Sequence, residues 1–539
     1  RLPVAGTSVL VLVGPGNNGG DGLVCGRYLA EMGADVAFYL YKWRDPQQDA
    51  NFARVQEMGL FTVDASFDQR HRVLRTRLKE MAVLIDALLG TGVTRPIGGS
   101  LAELLQQVHA GLAERASWLA EQRRTGLVSV GSGWAAGSGW AAGSGWAAGS
   151  GWAAGSGWAA DKRIAESGER GAGSGMFVAA VDCPSGLNCD TGELDALAVA
   201  ADLTVTFAGP KRGHFRFPGA AACGELVVAD IGIDDRLPAV ADVAVELMTA
   251  AQARDWLPAR RPDGHKGTFG WALLAAGSED YWGAPVLAAR GAYRVGAGLV
   301  ALAVPGDIRP TIAAQLPEAT YPALPDRATL GMGSARQLRQ LVTRYQALLI
   351  GPGLGEAAAF MDVLFKADGP AADLPPLVVD ADGLNLLART PDWPRRLPAG
   401  TILTPHPGEM ARLMGVSAGE VQAADRVALA RAQAAAWGHV VVLKGAYTVV
   451  AAPDGRCHVM PFANPILGAA GSGDVLAGVL VGLLAQGIGG YETAVLGAYL
   501  HGLAGQLASA EIGDAGLLAG ELADWVPAAR RAVQRMGSG

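Results

Sequence analysis

A chain of 539 residues is too long for one ordinary domain and implies two or three. Half of its residues are hydrophobic and 18% are charged, which is ample for large cores, while a formal net charge of −7 leaves no basic footprint for nucleic acid. Five cysteines, an odd number without CxxC spacing, fit a reducing, cytoplasmic compartment better than a disulfide framework. The longest apolar run, Val475 to Ala485, is about half a membrane span, so no membrane partner is expected, and no signal peptide precedes the first strand. The sequence starts at Arg1 without methionine and enters a strand within a few residues, as expected of a fragment lacking its true N-terminus.

Ser8 to Val13 (SVLVLV) is a continuous apolar run, as expected of a strand buried on both faces of a parallel sheet. GPGNNGGDG, Gly14 to Gly22, follows as a loop, then Leu23 to Met32 as a helix and Asp35 to Leu40 as a second strand. Gly14, Gly16 and Gly19 satisfy the dinucleotide fingerprint in form, but Asn17, Asn18 and Asp21 make the loop more polar than that fingerprint needs. Asparagine both donates and accepts, which suits a ribose, an amide or a hydrated cation. Two further strands end in an acid: Met81 to Asp86 runs into ALLGTGVTRP, and Phe177 to Asp182 runs into CPSGL. Residues just past the carboxyl ends of strands line the ligand crevice of an open α/β sheet. Three loops are therefore expected to converge on one site bearing Asn17, Asn18, Asp21, Asp86, Asp182 and Ser185. One acid at a strand end is ordinarily a turn former; three such loops with glycine beside the acid point to function.

GPGNNGGDG, DALLGTGVTRP and VDCPSGLNCDTG resemble the three signature loops of the NAD(P)H-hydrate epimerase family. The resemblance implies a Rossmann-like fold, interconversion of the R and S forms of hydrated NAD(P)H, and a bound potassium ion. By motif it puts Asn17, Asn18, Gly19, Gly20 and Asp21, with Gly90, Thr91, Gly92, Val93, Thr94, Arg95 and Pro96, on the hydrated nucleotide. It puts Asn18, Asp86 and Ser185 on potassium, and makes Asp182 the catalytic group touching the nicotinamide ring. A positioned carboxylate in a mostly dry pocket fits proton transfer at a ring carbon. Cys183 stands where the family more often has an aliphatic residue and reads as a small buried hydrophobe. The family's leading helical segment is missing from the sequence, and an insertion at about 110–175 separates the second loop from the third. It holds five copies of GSGWAA, Gly131 to Ala160, for which neither packed structure nor a catalytic part is expected. Leu203 to Phe207 and Glu225 to Asp230 read as closing strands. Between them Lys211 and Arg212, in GPKRGHFRFPG, either meet phosphates or form a solvated basic turn.

A boundary is expected near Thr249 to Pro262, giving domains 1–248 and 249–539. The second half alternates strands and helices over most of its length: strands at Trp271 to Ala276, Leu299 to Val304, Ala347 to Ile350, Leu377 to Asp380 and Val440 to Leu443, with a helix over Gly283 to Gly296. This predicts one large α/β domain with helices on both faces. Its post-strand loops carry GPGLG, ADGLNLL with Asp380, Asp382 and Asn385, TPHPGE and KGAYT. Last comes GAAGSGDVLAG, Gly468 to Gly478, a glycine-rich loop entering a helix, where backbone N–H groups and the helix start suit a phosphate. Asp474 lies at that helix start and can take a proton from an attacking hydroxyl.

HKGTFG, GPGLG, DADGLN, TPHPGE and GSGD together resemble the NAD(P)H-hydrate dehydratase family over nearly all of Arg261 to Leu507. The resemblance implies a ribokinase-like α/β fold, ADP (ATP in eukaryotic members) as co-substrate, and Mg²⁺. It places Ala284, Gly353, His406 and Asp474 around the hydrated nicotinamide nucleotide, and Lys444, Gly445, Ala446, Tyr447, Thr448 and Gly473 around the adenine nucleotide. Asp474 is implied as general base. The whole then reads as a fused repair enzyme acting on NADHX and NADPHX with ADP, expected as a homo-oligomer. Two rival readings are a ribokinase-like small-molecule kinase and a first half that serves only as a binding module.

Overall fold

The computed structural model describes residues 3–124, 175–234, 236–241, 243–365 and 373–535. The repeats at 131–160 lie outside them. The chain forms two compact units, Arg1–Asp234 and Asp235–Gly539.

In the first unit seven strands form one wholly parallel sheet: β1 Ser8–Val13, β2 Asp35–Leu40, β3 Phe61–Asp64, β4 Val83–Ala87, β5 Phe177–Val181, β6 Leu203–Phe207 and β7 Glu225–Ala229. Their order is β3-β2-β1-β4-β5-β6-β7, so the chain reverses direction across the sheet between β1 and β4. The crevice beyond the carboxyl ends at such a switch point is where ligands bind. Alternate residues of β1 face opposite layers. Leu10 and Leu12 join Leu74, Leu78, Leu104 and Val108, whereas Val9, Val11 and Val13 join Leu23, Phe38, Phe52 and Val55. That double burial is why β1 is apolar at every position.

The helix after β1 begins at Asn17, not Leu23, and runs to Glu31. Its glycines let it lie against the sheet. A Cβ at Gly19 would fall on the Gly14 carbonyl, and one at Gly26 would meet the Phe38 ring at 2.6 Å. The polar residues of the expected loop are therefore the first turns of a helix. The helix Gly99–Arg124 likewise extends into the segment expected to be inserted from residue 110. Its alanines, leucines and glutamates favour the helix, and Gly111 packs on Leu78.

The second unit carries a nine-stranded sheet. Its strands are β8 Val245–Leu247, β9 Trp271–Ala275, β10 Leu299–Ala303, β11 Ala347–Ile350, β12 Leu377–Val379, β13 Ile402–Leu403, β14 Val440–Leu443, β15 Val449–Ala451 and β16 Cys457–Val459. The order is β10-β9-β11-β12-β13-β14-β15-β16-β8. β14 to β16 form an antiparallel meander, and β8 pairs in parallel with β16. That pairing draws Val245–Leu247 into this unit, so the division falls at Asp234/Asp235 and not after residue 248.

Apolar cores cover both faces of this sheet. At the centre of one lies the helix Ser472–Ala485, buried from Val475 onward. It packs on the helix Gly283–Val295 with backbone nearly touching backbone. A Cβ at Gly478 would fall on the Ala288 carbonyl, and one at Gly482 would lie 2.8 Å from the Ala292 carbonyl. Among the described residues, no helix is long and apolar enough to cross a membrane.

Candidate active sites

In the first unit the loops after β1, β4 and β5 are stitched together. Asn18 Nδ2 donates to the Leu89 carbonyl (2.7 Å), and Gly90 packs against the Asn18 side chain. Asp86, at the end of β4 and 1% exposed, accepts from Ser185 Oγ (2.6 Å), Ser185 N (2.8 Å) and Leu88 N (3.2 Å). Ser185 Oγ in turn accepts from Leu89 N (2.9 Å). Burial pushes the Asp86 carboxyl up, against those hydrogen bonds. Asn18 Oδ1 is buried with no hydrogen-bond partner. A buried carboxylate, a hydroxyl and an orphaned amide oxygen are the oxygen donors a hard monovalent cation takes, so these residues fit potassium. Thr91, Gly92, Val93, Thr94, Arg95 and Pro96 form a largely exposed turn, held at its far end by Ile97 N on Asp195.

Asp182 is one of four non-glycine residues with positive φ among the described residues of this unit, at φ +65°. A non-glycine residue there is uncommon and marks a constrained position. Its Oδ1 accepts from Lys211 Nζ (2.6 Å), Thr206 Oγ1 (2.9 Å) and Phe207 N (3.3 Å). The Lys211 ammonium also donates to Thr206 Oγ1 (2.7 Å), the Phe207 carbonyl (3.0 Å) and the Gly209 carbonyl (3.2 Å). Lys211 is thus neither a phosphate ligand nor a solvated turn residue; its three protons meet four acceptors. Asp182 Oδ2 has no hydrogen bond among the described residues. The Asp21 carboxyl is pushed up by burial and by the charge of Asp182, which places the first loop beside this acid. Cys183 is buried in a small cluster with Leu187, Cys189 and Cys223.

In the second unit Lys444, at the end of β14, is the hub. Its ammonium lies 2.7 Å from Asp380 Oδ1 and 3.6 Å from Glu409 Oε2. Asp380 Oδ1 also accepts from Thr404 Oγ1 (2.6 Å). Burial lowers the Lys444 pKa, but the charges of Asp380 and Glu409 outweigh it and raise the value overall. Burial pushes Glu409 up despite Lys444. His406 caps the helix Pro407–Met414: its Nδ1 accepts from Gly408 N (3.0 Å) and Glu409 N (3.4 Å), while Glu409 accepts from His406 N (2.8 Å). Burial and the charge of Lys444 lower the pKa of the half-exposed His406 ring, whose Nε2 lies 3.4 Å from Glu409 Oε1.

Asp474 is in the first turn of Ser472–Ala485, but the cap position is Gly471, at φ +86°. Asp474 is therefore not a capping residue and has no hydrogen bond among the described residues. Burial first, then the charge of Asp380, pushes its carboxyl up to about 7. An unbonded acid titrating near neutrality, beside a helix start and an ammonium, suits general-base work. Gly353, at φ +63°, touches Ala284, the second residue of the neighbouring helix. A Cβ at Gly473 would lie 3.5 Å from Lys444 Nζ, and Gly445 sits against Arg426, whose guanidinium holds the Leu443 and Lys444 carbonyls. Thr448 Oγ1 donates to the Gly445 carbonyl, closing the turn through Ala446 and Tyr447.

Over 532 residues the chain is 35% identical to a bifunctional NAD(P)H-hydrate repair enzyme of Thermofilum pendens, covering 98% of this chain and 88% of the relative. The chain belongs to the bifunctional NAD(P)H-hydrate repair enzyme family. A second repair enzyme, from Moorella thermoacetica, is 36% identical over 97% of this chain and 87% of its own. Residues 272–528 match the family model described as NAD(P)H-hydrate dehydratase, and residues 2–148 and 149–213 match the one described as YjeF-related protein N-terminus. Among solved structures, the ADP/ATP-dependent NAD(P)H-hydrate dehydratase of Bacillus subtilis is 35% identical, covering 54% of this chain and 99% of that chain, with a TM-score of 0.47. Within this repair-enzyme family, the sequence reading missed the clamp on Asp182. The signal was a lysine in a glycine-rich turn, which by itself names no partner.

Proposed function

We propose that the chain repairs hydrated NAD(P)H, with the first unit equilibrating the R and S hydrates and the second dehydrating the S form at the expense of ADP. The single observation that carries this is Asp474, unbonded and titrating near neutrality at a glycine-rich helix start beside Lys444. In the hydrate, water has added across a ring double bond and left a hydroxyl on the carbon next to the ring nitrogen.

In dehydration, Asp474 takes the proton of that hydroxyl as its oxygen attacks the terminal phosphoryl group of ADP, releasing AMP. Phosphate then departs with the push of the ring nitrogen, and loss of a proton from the adjacent carbon restores the double bond. The phosphoryl step is mainly positioning and charge stabilisation; Lys444 and the backbone N–H groups at Gly473 supply both. Among the described residues no set of three His, Cys, Asp or Glu has metal-holding geometry. Mg²⁺ would arrive with the nucleotide, on its phosphate oxygens. Bound there, it would neutralise phosphate charge.

In epimerisation the ring hydroxyl leaves as water once protonated, the ring nitrogen shares its lone pair with the carbon, and water returns from the other face and gives up its proton. Asp182 Oδ2 handles both protons, while Lys211 fixes Oδ1. Asn18, Asp86 and Ser185 would hold potassium, which supplies a fixed positive charge among the three loops.

The test is to supply the S hydrate of NADH with ADP or ATP and follow the return of reduced-nicotinamide absorbance, then repeat with the R hydrate. No NADH from the S hydrate with either nucleotide overturns the dehydratase assignment. An R hydrate that remains unused while the S hydrate is consumed overturns the epimerase assignment.

A further inference from the structure

The first unit has an open cavity of about 550 Å³ beside the glycine-rich loop, within the usual range for small-molecule sites. One wall is Asn17, Gly20 and Asp21. The other runs from Trp43, after β2, into the first residues of the helix Ala50–Glu57. Asp21 lies within the field of Asp182, so the start of the helix Asn17–Glu31 reaches from this cavity to the proposed ring site. In doubly wound sheets the end of the second strand receives the sugar next to the pyrophosphate.

Trp43 is 53% exposed and sits perpendicular to the buried Phe52 ring, centroids 5.1 Å apart. The indole is thus held in place with much of its surface open. The side-chain amides of Asn17, Gln48 and Asn51 make no hydrogen bonds among the described residues, so their donors and acceptors are available around it. A flat π surface among amides is what recognition of a purine nucleoside uses.

The charge at this cavity is one-sided. Arg44, its only lining cation among the described residues, is paired with Asp49 and donates to the Gly14 (2.7 Å) and Gly16 (3.1 Å) carbonyls. Asp45 accepts from Gln47 N and, like Asp21, has no cationic partner among the described residues. Lys42 does not line the cavity; its ammonium lies over the Tyr41 ring. A dianionic 2′-phosphate would meet two uncompensated carboxylates there.

We propose that the Trp43 cavity holds the adenosine half of the hydrated dinucleotide and selects the form without a 2′-phosphate. This rests on the epimerase reading of the same loop.

Hydroxyl-radical footprinting of the full chain, read by mass spectrometry at Trp43, tests the site without activity. ADP-ribose should lower Trp43 oxidation to the level of Trp393, which is 6% exposed. ADP-ribose 2′-phosphate should need about tenfold more ligand, and Asp45→Asn should narrow that gap. Trp43→Ala should raise the KM for epimerisation about tenfold with kcat and S-hydrate dehydration unchanged, and Trp43→Phe should restore the KM. Trp43 oxidation indifferent to ADP-ribose, or an unchanged KM in Trp43→Ala, overturns the site. Equal protection by both ligands overturns the selectivity. If Trp43 is protected but R and S hydrates do not equilibrate, the epimerase reading falls and the nucleoside site stands.

Discussion

Replacing Asp474 by asparagine separates the chemistry of its carboxyl from its size. The wild-type group titrates at about 7, so wild-type kcat for dehydration should rise with pH through that value as the base ionises. Asparagine cannot accept the proton, and loss of a general base lowers turnover by about 10²–10⁴-fold. Affinity for ADP should hold or tighten, because the variant removes a negative charge from beside the phosphate position. The same shift carries a stability consequence. A rise from about 4 to about 7 corresponds to ~4 kcal/mol of ionisation cost in the folded chain, and the solvent that still reaches the group reduces the expected effect to about 2 kcal/mol. Because the folded pKa is raised, the stability of the protonated form is fully present below about pH 4 and lost as pH rises through about 7. Asp474→Asn should therefore melt with wild type at pH 4 and several degrees above it at pH 8. Stopped turnover assays across pH and calorimetry read the two effects separately. Turnover above about a tenth of wild type, or a pH–rate rise through 7 that persists in the variant, would refute the general-base role.

Lys211→Met should lower R/S equilibration about 10²-fold, by chiral separation of the hydrates, while S-hydrate dehydration holds. Lys211→Arg should not rescue it, because a planar guanidinium cannot meet the four acceptors that the ammonium satisfies. Gly478→Ala drives a methyl onto the Ala288 carbonyl and should cost about 1–3 kcal/mol, seen as a lower Tm of the second unit. Potassium, but not lithium, should raise the melting temperature of the first unit, and Asn18→Ala should abolish that response by removing the orphaned Oδ1.

Much of the framework was legible because the strands bury both faces. Runs such as SVLVLV and VVVL need no partner information to be read, and β1 and β14 lie where those runs predict. The short meander β15 and β16 and the edge strand β8 were not legible. Each is three residues long, and β8 is a strand only because Cys457–Val459, more than two hundred residues away, pairs with it. The helix start at Asn17 was hidden because glycine weakens helix propensity, whereas here the glycines are what allow the close approach. At the sites, the sequence indicated which loops to compare through their acids and glycines. It did not give the pairings Lys211–Asp182 and Lys444–Asp380, which depend on two separate strand ends meeting.

The contact between the helices Gly283–Val295 and Ser472–Ala485 has a consequence for how this unit tolerates change. Position along that seam is dictated by main chain on main chain, with glycine as the spacer. Val295 also bears on the seam, its Cγ1 lying 2.6 Å from where a Cβ on Gly482 would stand, while exchange of the other leucines and valines around it is expected to alter the offset less than a substitution at the glycines. Selection for a sturdier protein and selection on the helix start that carries Asp474 are thereby largely uncoupled, except at a few glycines where one extra methyl would shift Asp474 and Ala284 against each other.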